Sequence, residues 1–266
     1  MRKSVLKQFN ISMLCILVLL TTHISAQSAQ AEEASTGAWK FSAGAYAWAP
    51  AIKGKTAQGG DIDISLSDII DNLDITFMAV MSARKDKFSL LVDVVYMDLN
   101  DNSNYTFSGP RDIVSLSLTN LEMESWVVTP AASYTVVDSN HLIFDLLVGA
   151  RYLYLSTDVD LEERGPLTTR KFSVSGSNHV WDGIVGARGN IKVNEQWTMP
   201  FHFDVGTGDT DLTWQAFAGV EYKFTNVSLV AGYRHLEWDF DDKDTGGDLF
   251  DDLYISGPVI GFRYFF

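Results

Sequence analysis

Five segments of the chain repeat one short pattern: a glycine, then an apolar residue, then a charged residue. Because neighbouring side chains of a β-strand point to opposite faces, the glycine and the charge share one face and the apolar residue lies on the other. Each such strand has one wall of small and charged residues and one apolar wall. The segments begin at Gly149, Gly186, Gly219, Gly232 and Gly261.

The charged wall excludes the core of a soluble β-sandwich. Without partners, the burial of Arg151, Arg188, Arg234 and Arg263 there would cost several kcal/mol each. The same wall can line a barrel that holds water and ion pairs, while the apolar wall faces lipid. A closed barrel also satisfies every backbone group inside a membrane, since it has no free edge. We therefore expect an all-β protein, an antiparallel up-and-down transmembrane β-barrel.

Alternation with period two continues through most of the chain and predicts about ten strands, with eight as the alternative. After residue 31, no apolar run approaches the roughly 20 residues that a membrane-spanning helix needs. The predicted strands cover residues 39–52, 73–83, 88–99, 124–137, 142–156, 179–193, 197–206, 212–224, 227–238 and 253–266.

The connections between these strands alternate between tight turns and long loops. Outer-membrane barrels have this asymmetry, with turns in the periplasm and loops outside the cell. The turns are predicted at 84–87, 138–140, 194–196 and 225–226, and the loops at 53–72, 100–123, 157–178 and 239–252, with 207–211 as the one short loop.

The first 31 residues have the features of a secretory signal peptide. Three basic residues precede the apolar run ISMLCILVLL, and a stretch of small residues follows it. This composition favours cleavage after Ala31, with Ala26 as the alternative. The expected domains are a signal peptide at 1–31 and an outer-membrane β-barrel at 32–266.

Cysteine content and charge exclude further classes of site and partner. The only cysteine, Cys15, lies inside the signal peptide, so the mature protein can have no disulfide and no thiolate metal site. Cleavage also removes three basic residues, which changes the formal net charge from −14 to −17. Nucleic acid is an unsuitable partner for this protein, because phosphate binding needs a basic surface.

The last predicted strand, LYISGPVIGFRYFF, carries a resemblance to a known family. Together with the alternating segments from 39 to 266, it resembles the small up-and-down β-barrels of the Gram-negative outer membrane. In that family, a terminal phenylalanine with alternating aromatic residues forms the signal that the barrel-assembly machinery recognises. The resemblance therefore implies this role for Phe262, Tyr264 and Phe266. It also implies outer-membrane lipid, lipopolysaccharide and the barrel-assembly machinery as partners.

The number of strands distinguishes members of this family. A barrel of ten strands is similar to omptin proteases and adhesin-like barrels, and one of eight would be closer to OmpA-like and OmpW-like proteins.

The lumen is expected to hold a network of ion pairs, because the same period-two argument puts charges of both signs on the inner face. Such a network favours a structural or interaction barrel whose interior is filled. The alternative is a narrow porin-like channel for small solutes. The predicted lumen residues are Asp93, Asp145, Arg151, Asp182, Arg188, His202, Asp204, Glu221, Arg234 and Arg263.

A third function, an omptin-like protease or another outer-membrane enzyme, finds little support in the sequence. His202 with Asp204, and His235 with Glu237, lie two apart on one strand and could each form an acid–base pair. However, the Asp-x-His order of the omptins is absent. We expect no catalytic residues and no organic cofactor.

The acidic segment 239–252 is the candidate for a bound divalent cation. Its carboxylates could gather a hard cation through oxygen, but the spacing does not fit an EF-hand, and a solvated loop is the favoured explanation. The possible ligands are Asp239, Asp241, Asp242, Asp244 and Asp248.

Two other features concern the ends of the strands. In the segment 61–73, Ser67 is expected to cap a short helical turn, which would cover the barrel mouth or lie at the membrane interface.

Tryptophans near strand ends are expected to form girdles at the two membrane interfaces. These are Trp39, Trp126, Trp181, Trp197, Trp214 and Trp238.

Overall fold

A computed structural model describes residues 37–55, 61–64, 73–101, 105–108, 115–164, 169–240 and 251–266. Every regular element within these ranges is a β-strand. No helix in the described ranges is long and apolar enough to cross a membrane. The strands are β1 (Lys40–Trp48), β2 (Ala51–Lys55), β3 (Asp61–Ile64), β4 (Leu73–Lys85), β5 (Phe88–Asp101), β6 (Tyr105–Ser108), β7 (Ser115–Asp138), β8 (Leu142–Arg164), β9 (Thr169–Lys192), β10 (Trp197–Gly208), β11 (Leu212–Lys223), β12 (Val227–Asp239) and β13 (Asp252–Phe265).

Ten of these strands form one closed antiparallel barrel. They pair in the order β1-β4-β5-β7-β8-β9-β10-β11-β12-β13. The barrel closes where β1 pairs with β13, from Ser42 opposite Phe265 to Trp48 opposite Val259. The up-and-down fold and the count of ten strands are therefore confirmed, and the alternative of eight is wrong.

The first predicted strand, 39–52, is interrupted at Pro50. Proline has no backbone N–H for the ladder, so β1 ends at Trp48 and the chain resumes pairing as β2. β2 lies beside β13, with Ile52 opposite Ile255, and pairs in turn with β3. Apart from Ala51 and Ile52, this short hairpin falls in the loop predicted at 53–72. The helical turn predicted after Ser67 lies outside the described residues.

Three neighbouring strands are much longer than the sequence predicts. β7 has 24 residues, β8 has 23 and β9 has 24, whereas about 9 to 11 residues cross a membrane. Their ladders continue to Ser115 opposite Arg164, and from there to Thr169. The loops predicted at 100–123 and 157–178 are therefore largely strand, and they extend one side of the barrel beyond its loop end.

The outer wall between the two ends is apolar and exposed. Side chains that project outward on successive strands are large hydrophobic residues, as expected for a surface that meets lipid rather than water. Examples, each at least two-fifths exposed, are Met81, Leu90, Leu146, Val148, Val185, Met199, Phe203, Val220, Leu229, Ile260 and Phe262.

Aromatic rings form two belts on this outer wall. The belt at the turn end includes Trp197 against Tyr222, with ring centroids 4.9 Å apart, and Tyr264 against Phe266, also at 4.9 Å. The belt at the loop end contains three further ring pairs, between Tyr96 and Trp126, Tyr152 and Trp181, and Trp214 and His235.

The spacing of the belts fits a bilayer. Trp214 and Tyr222 are eight positions apart on β11, which is about 26 Å along the strand and about 20 Å along the membrane normal at a usual strand tilt.

One of the six tryptophans predicted for the girdles is placed wrongly by the sequence. Trp238 faces the lumen and is 0% exposed, packed beside Leu236 and Leu253. An interface position requires an outward-facing side chain, and Trp238 has the same parity as Arg234 on β12. A position near a strand end therefore does not by itself place a tryptophan at the membrane interface.

The lumen is divided into two layers. Towards the loop end it is filled by a cluster of buried apolar side chains. Towards the turn end it is lined mainly by charged and polar side chains, beside a smaller apolar cluster of Leu91, Ala131, Leu147 and Ile184. Cross-strand neighbours such as Val95 and Val127, or Ile255 and Leu236, build the apolar layer row by row. The expectation of an inner wall of small and charged residues thus holds only for the half nearer the turns. The apolar lumen cluster consists of Trp48, Ile52, Met78, Val95, Met97, Met123, Val127, Leu153, Leu155, Val180, Leu236, Trp238, Phe240, Leu253, Ile255 and Val259.

Candidate functional site in the barrel lumen

The ten charged residues predicted for the lumen all lie on the inner face of their strands. Six of them are buried and four are half-buried. Each of the four predicted arginines approaches a carboxylate of the predicted set within 4.0 Å. The residues form separate centres rather than one continuous ladder.

The deepest centre is built around Arg151 on β8, which is 0% exposed. Its Nη2 donates to Asp204 Oδ1 at 2.6 Å and its Nη1 donates to Thr213 Oγ1 at 2.8 Å. The other oxygen of Asp204 lies 2.6 Å from His202 Nε2. The arrangement holds a buried carboxylate between two nitrogen groups, so it is a balanced charge centre.

Asp182 lies opposite Arg151 in the ladder but has a different partner. Its Oδ1 accepts hydrogen bonds from the backbone N–H and the hydroxyl of Thr210, at 3.0 Å and 2.8 Å. This carboxylate therefore fixes the short connection between β10 and β11.

A second centre surrounds Arg234 on β12. Its Nη2 lies 2.7 Å from Asp93 Oδ2, and its Nη1 donates to the Tyr46 hydroxyl at 2.7 Å. That hydroxyl donates in turn to Asp93 Oδ1 at 2.6 Å, which closes a ring of three groups. Gln215 accepts two further bonds, and the guanidinium carbon lies 4.9 Å from the centre of the Trp48 ring. This centre lies directly below the apolar lumen cluster.

A third centre lies near the turn end, where two arginines share one carboxylate. Arg188 Nε is 3.3 Å from Asp145 Oδ2, and Arg84 Nη1 is 4.0 Å from the same oxygen. Arg84 also donates to Thr135, whose hydroxyl donates to Asp145 at 2.7 Å. The carboxylate is well satisfied, but two positive charges depend on it.

The fourth centre is the loosest. Arg263 Nη1 lies 3.7 Å from Glu221 Oε1, which is too long for a hydrogen bond. Glu221 is instead bound by the hydroxyls of Ser228 and Thr198. The carboxylate is thus held by neutral donors, and Arg263 adds only a charge–charge contact.

Besides the hydroxyl residues, sequence reasoning missed Tyr46, Gln215 and Arg84 in these centres. Tyr46 and Gln215 carry no charge, and neither lies in a glycine-x-charge segment, yet both have the inward parity of their strands. Arg84 was assigned to a turn, whereas β4 continues to Lys85 and directs Arg84 inward. If the predicted strand had continued for two more residues, the alternation of its faces would have placed Arg84 on the inner side.

The two candidate acid–base pairs lie on opposite faces of the barrel. The pair of His202 and Asp204 belongs to the buried centre of Arg151. The pair of His235 and Glu237, 3.0 Å apart, lies on the outer face, where His235 also contacts Ser256 and the Trp214 ring.

The acidic segment has only its ends within the described residues. Asp239 closes β12, whereas Asp241, Asp242, Asp244 and Asp248 lie outside the described residues. Within the described part of the chain, no group of three or more potential metal ligands converges. The cation site remains a prediction.

A cavity of about 240 Å³ occupies the half of the lumen nearer the turns. It extends from the third and fourth centres up to Tyr46 and Arg234, and both charged and apolar side chains line it. At about 30 Å³ for each molecule of liquid water, this volume corresponds to about eight waters.

No protein-family model matches the chain, and no curated protein does either. Solved structures that resemble it are outer-membrane barrels, at low identity. Neisserial surface protein A is 15% identical, with 85% of this chain and 96% of that chain covered and a TM-score of 0.33. The attachment invasion locus protein Ail of Yersinia pestis is 8% identical, with coverages of 86% and 99% and a TM-score of 0.33. The translocator domain of the autotransporter NalP from Neisseria meningitidis is 11% identical, with coverages of 96% and 98% and a TM-score of 0.38.

Similarity at these levels carries no argument about function. The chain's own geometry identifies its class: a closed meander of ten strands, an apolar outer wall with two aromatic belts, and a charged inner wall. The protein is a small outer-membrane β-barrel in architecture.

Proposed function

We propose that the protein is an integral outer-membrane barrel with a structural or interaction role and a lumen closed to solutes. The observation that supports closure is the apolar lumen cluster, which receives side chains from β1, β2, β4, β5, β7, β8, β9, β12 and β13. Its residues are at most 8% exposed. A hydrated path through this layer would require the barrel to give up that packing.

Single-channel recording in planar bilayers tests closure. The expected result for the purified protein is a silent membrane, without stable conductance steps. A matched variant, Leu236→Ser with Leu253→Ser, places hydroxyls in the apolar lumen cluster and should raise the frequency of transient openings. Stable unitary conductance in the unmodified protein would contradict the proposal.

The alternative function is a narrow porin-like channel for small solutes. The cavity of about 240 Å³ favours it, because half of the lumen is already polar and hollow. In that case the apolar lumen cluster must part when a solute passes. The same recordings distinguish the two functions, since a channel conducts without substitution in the apolar layer.

An enzymatic role, as an omptin-like protease or a lipid-modifying enzyme, is the least supported. The carboxylate of Asp204 is already bound by Arg151 and His202, so it serves the buried charge centre, and no hydroxyl nucleophile is hydrogen-bonded to His202 within the described residues. The pair of His235 and Glu237 has no second acid–base pair facing it on the outer wall of the described strands. We propose that the protein has no catalytic site.

The proposed location is the outer membrane, after removal of residues 1–31. The apolar outer wall and the aromatic belts support contact with lipid and lipopolysaccharide. The expected orientation places the short turns in the periplasm. Cell fractionation, with N-terminal sequencing of the mature protein, tests both parts, and recovery of a soluble periplasmic protein would sink the proposal.

A further inference from the structure

Three arginines converge on the turn end of the cavity from separate parts of the barrel. Arg84 lies on β4, Arg188 on β9 and Arg263 on β13, and all three line the cavity. We call them the mouth arginines. Their side chains are 29%, 25% and 29% exposed, whereas those of Arg151 and Arg234 are 0% and 6% exposed. Solvent therefore reaches the mouth arginines and not the two deeper ones.

The mouth arginines are incompletely paired. Arg84 and Arg263 both act on Arg188 as like charges. They have two carboxylates between them, Asp145 and Glu221, and both of these are already bound by hydroxyl groups. Each guanidinium has five N–H donors, and Arg188 uses only its Nε within the described structure. The mouth is thus locally cationic in a protein with a formal charge of −14.

Unsatisfied polar atoms in the cavity wall provide a second, independent observation. The hydroxyl of Thr129, a residue 3% exposed, has no hydrogen-bond partner within the described structure, and neither does Oδ1 of Asn190. Both residues line the cavity. Buried polar groups normally find partners, so an unpaired hydroxyl in a cavity wall indicates a bound molecule or ordered water.

The wall directly above the mouth is apolar. Leu91 is two positions along β5 from Ser89, which pairs with Arg84. Val230 is likewise two positions along β12 from Ser228, which pairs with Arg263. Leu91 and Val230 thus line the cavity one inward-facing position further from the turns. Phe217, which lies opposite Arg234 with its ring near Gly219 and Gly232, lines the cavity beyond them, and we call these three residues the apolar wall. Beyond it, the Arg234 centre and the apolar lumen cluster end the cavity.

We propose that this cavity binds a small organic anion: a carboxylate attached to a compact apolar body. The mouth arginines bind the carboxylate through charge-assisted, forked hydrogen bonds, and the apolar wall contacts the body. The hydroxyl of Thr129 lies opposite Asp93 at the inner end of the cavity, away from the carboxylate. Entry is from the turn end, which is the periplasmic end in the proposed orientation. The inference rests on the proposed function only for that orientation and for the closed inner end.

Calorimetric titration of the purified barrel in detergent micelles, at low ionic strength, tests the proposal with sodium benzoate as probe. Two comparison probes separate the parts of the site: benzamide has the same ring without the charge, and inorganic phosphate has the charge without the ring. Benzoate is expected to bind, and each comparison probe should bind at least about tenfold more weakly, a difference of about 1.4 kcal/mol. Equal binding of benzamide would overturn the role of the arginines, and equal binding of phosphate would overturn the role of the apolar wall.

Three variants complete the test. Arg263→Gln removes the mouth arginine with the weakest internal contact and should weaken benzoate binding at least about tenfold. The control Lys87→Gln removes an exposed cation in the turn between β4 and β5, outside this cavity, and should leave the affinity within about twofold. Thr129→Val breaks no internal hydrogen bond in the described structure, so it should fold, and because Thr129 lies at the inner end of the cavity it should leave the affinity within about twofold.

The outcomes separate this inference from the proposed function. Unchanged benzoate affinity in Arg263→Gln, or absence of benzoate binding, would overturn the inference. Calorimetry in micelles does not depend on closure, so a barrel that conducts in bilayers but binds benzoate would contradict only the closed lumen.

Discussion

Arg151 shows how a single buried charge is accommodated at the residue scale. Both of its terminal nitrogens are bonded, to Asp204 and Thr213, and it is fully buried. The sequence could place this arginine in the lumen, because strand parity is a local property. It could not identify the partner, since Asp204 lies on β10 and depends on the register across the barrel, whereas the ladder neighbour Asp182 binds elsewhere.

Replacing Arg151 by methionine should lower the free energy of unfolding by about 3 kcal/mol, because it leaves the Asp204 carboxylate buried with only His202 beside it. Urea unfolding of the barrel in lipid vesicles measures the change. The double variant Arg151→Met with Asp204→Leu removes both charges and should recover most of the loss. A single-variant effect below about 1 kcal/mol would contradict a tightly coupled pair.

Gly232 illustrates a different constraint at this scale, close approach. A Cβ atom at this position would lie 2.5 Å from the backbone O of Ala218 and 2.7 Å from Cε2 of the Phe217 ring. Gly232→Ala should therefore displace that ring and the facing backbone of β11, and destabilise the barrel by about 1 to 3 kcal/mol. Gly183→Ala is the matched control, because its nearest atom would be 3.8 Å away. Equal unfolding midpoints for the two variants would show that the ring adapts without strain.

At the scale of the element, the last strand joins the two ends of the barrel. β13 pairs with β12 along its whole length and with β1 on its other side, and the backbone N–H of Phe266 donates to Phe41 O at 3.0 Å. The rings of Phe262, Tyr264 and Phe266 are all exposed on the outer wall, as period two predicts. Their recognition during assembly stays a prediction.

Deletion of Phe266 should reduce the amount of folded barrel in the outer membrane far more than it reduces stability. Loss of one aromatic ring from lipid removes roughly 2 to 3 kcal/mol of apolar transfer, which is too little to unfold a barrel. A large loss of yield would then arise during insertion. Phe266→Leu keeps apolar area without the ring and is the control. If both variants accumulate like the parent, the terminal ring is only lipid-facing surface.

Strand positions could be predicted from the sequence where one face is apolar, and less well elsewhere. The predicted start of β5, β8, β10, β11 and β12 agrees with the structure. The extensions of β7, β8 and β9 were missed, because segments such as STDVDLEER alternate without a strongly apolar face and are rich in the polar residues typical of loops. Backbone pairing with adjacent strands outweighs that composition.

At the scale of the whole molecule, the tryptophans divide into a buried group in the lumen and an exposed group on the outer wall. Trp48 and Trp238 are 5% and 0% exposed inside the barrel, whereas Trp181 is 52% exposed on the outer wall. The apolar layer of the lumen was not predictable from composition, since inward-facing Leu236 and Leu253 belong to the same residue types as the lipid-facing side chains. Only the alternation of inward- and outward-facing positions distinguishes them, and the prediction of inward-facing residues did not extend to the loop end of the strands.

Quenching by brominated lipids can separate the two groups. In vesicles of brominated phosphatidylcholine, fluorescence from outward-facing tryptophans should be strongly quenched and that from lumen tryptophans should persist. Trp181→Phe should therefore decrease the quenchable fraction, and Trp238→Phe should increase it. The reverse order would place the apolar lumen cluster on the lipid side and refute the assignment of faces.

The pairing of β1 with β13 has a consequence for how the chain could be rearranged. The seam between these strands is hydrogen-bonded like the other boundaries of the barrel, so the closed ladder has no intrinsic beginning. Because the number of barrel strands is even, residues 40 and 265 lie at the same end. A circular permutant, joined there and opened in the turn between β7 and β8, should form the same cylinder while its new last strand ends in TVVD. Such a chain would separate what the cylinder needs in order to exist from what the cell needs in order to insert it.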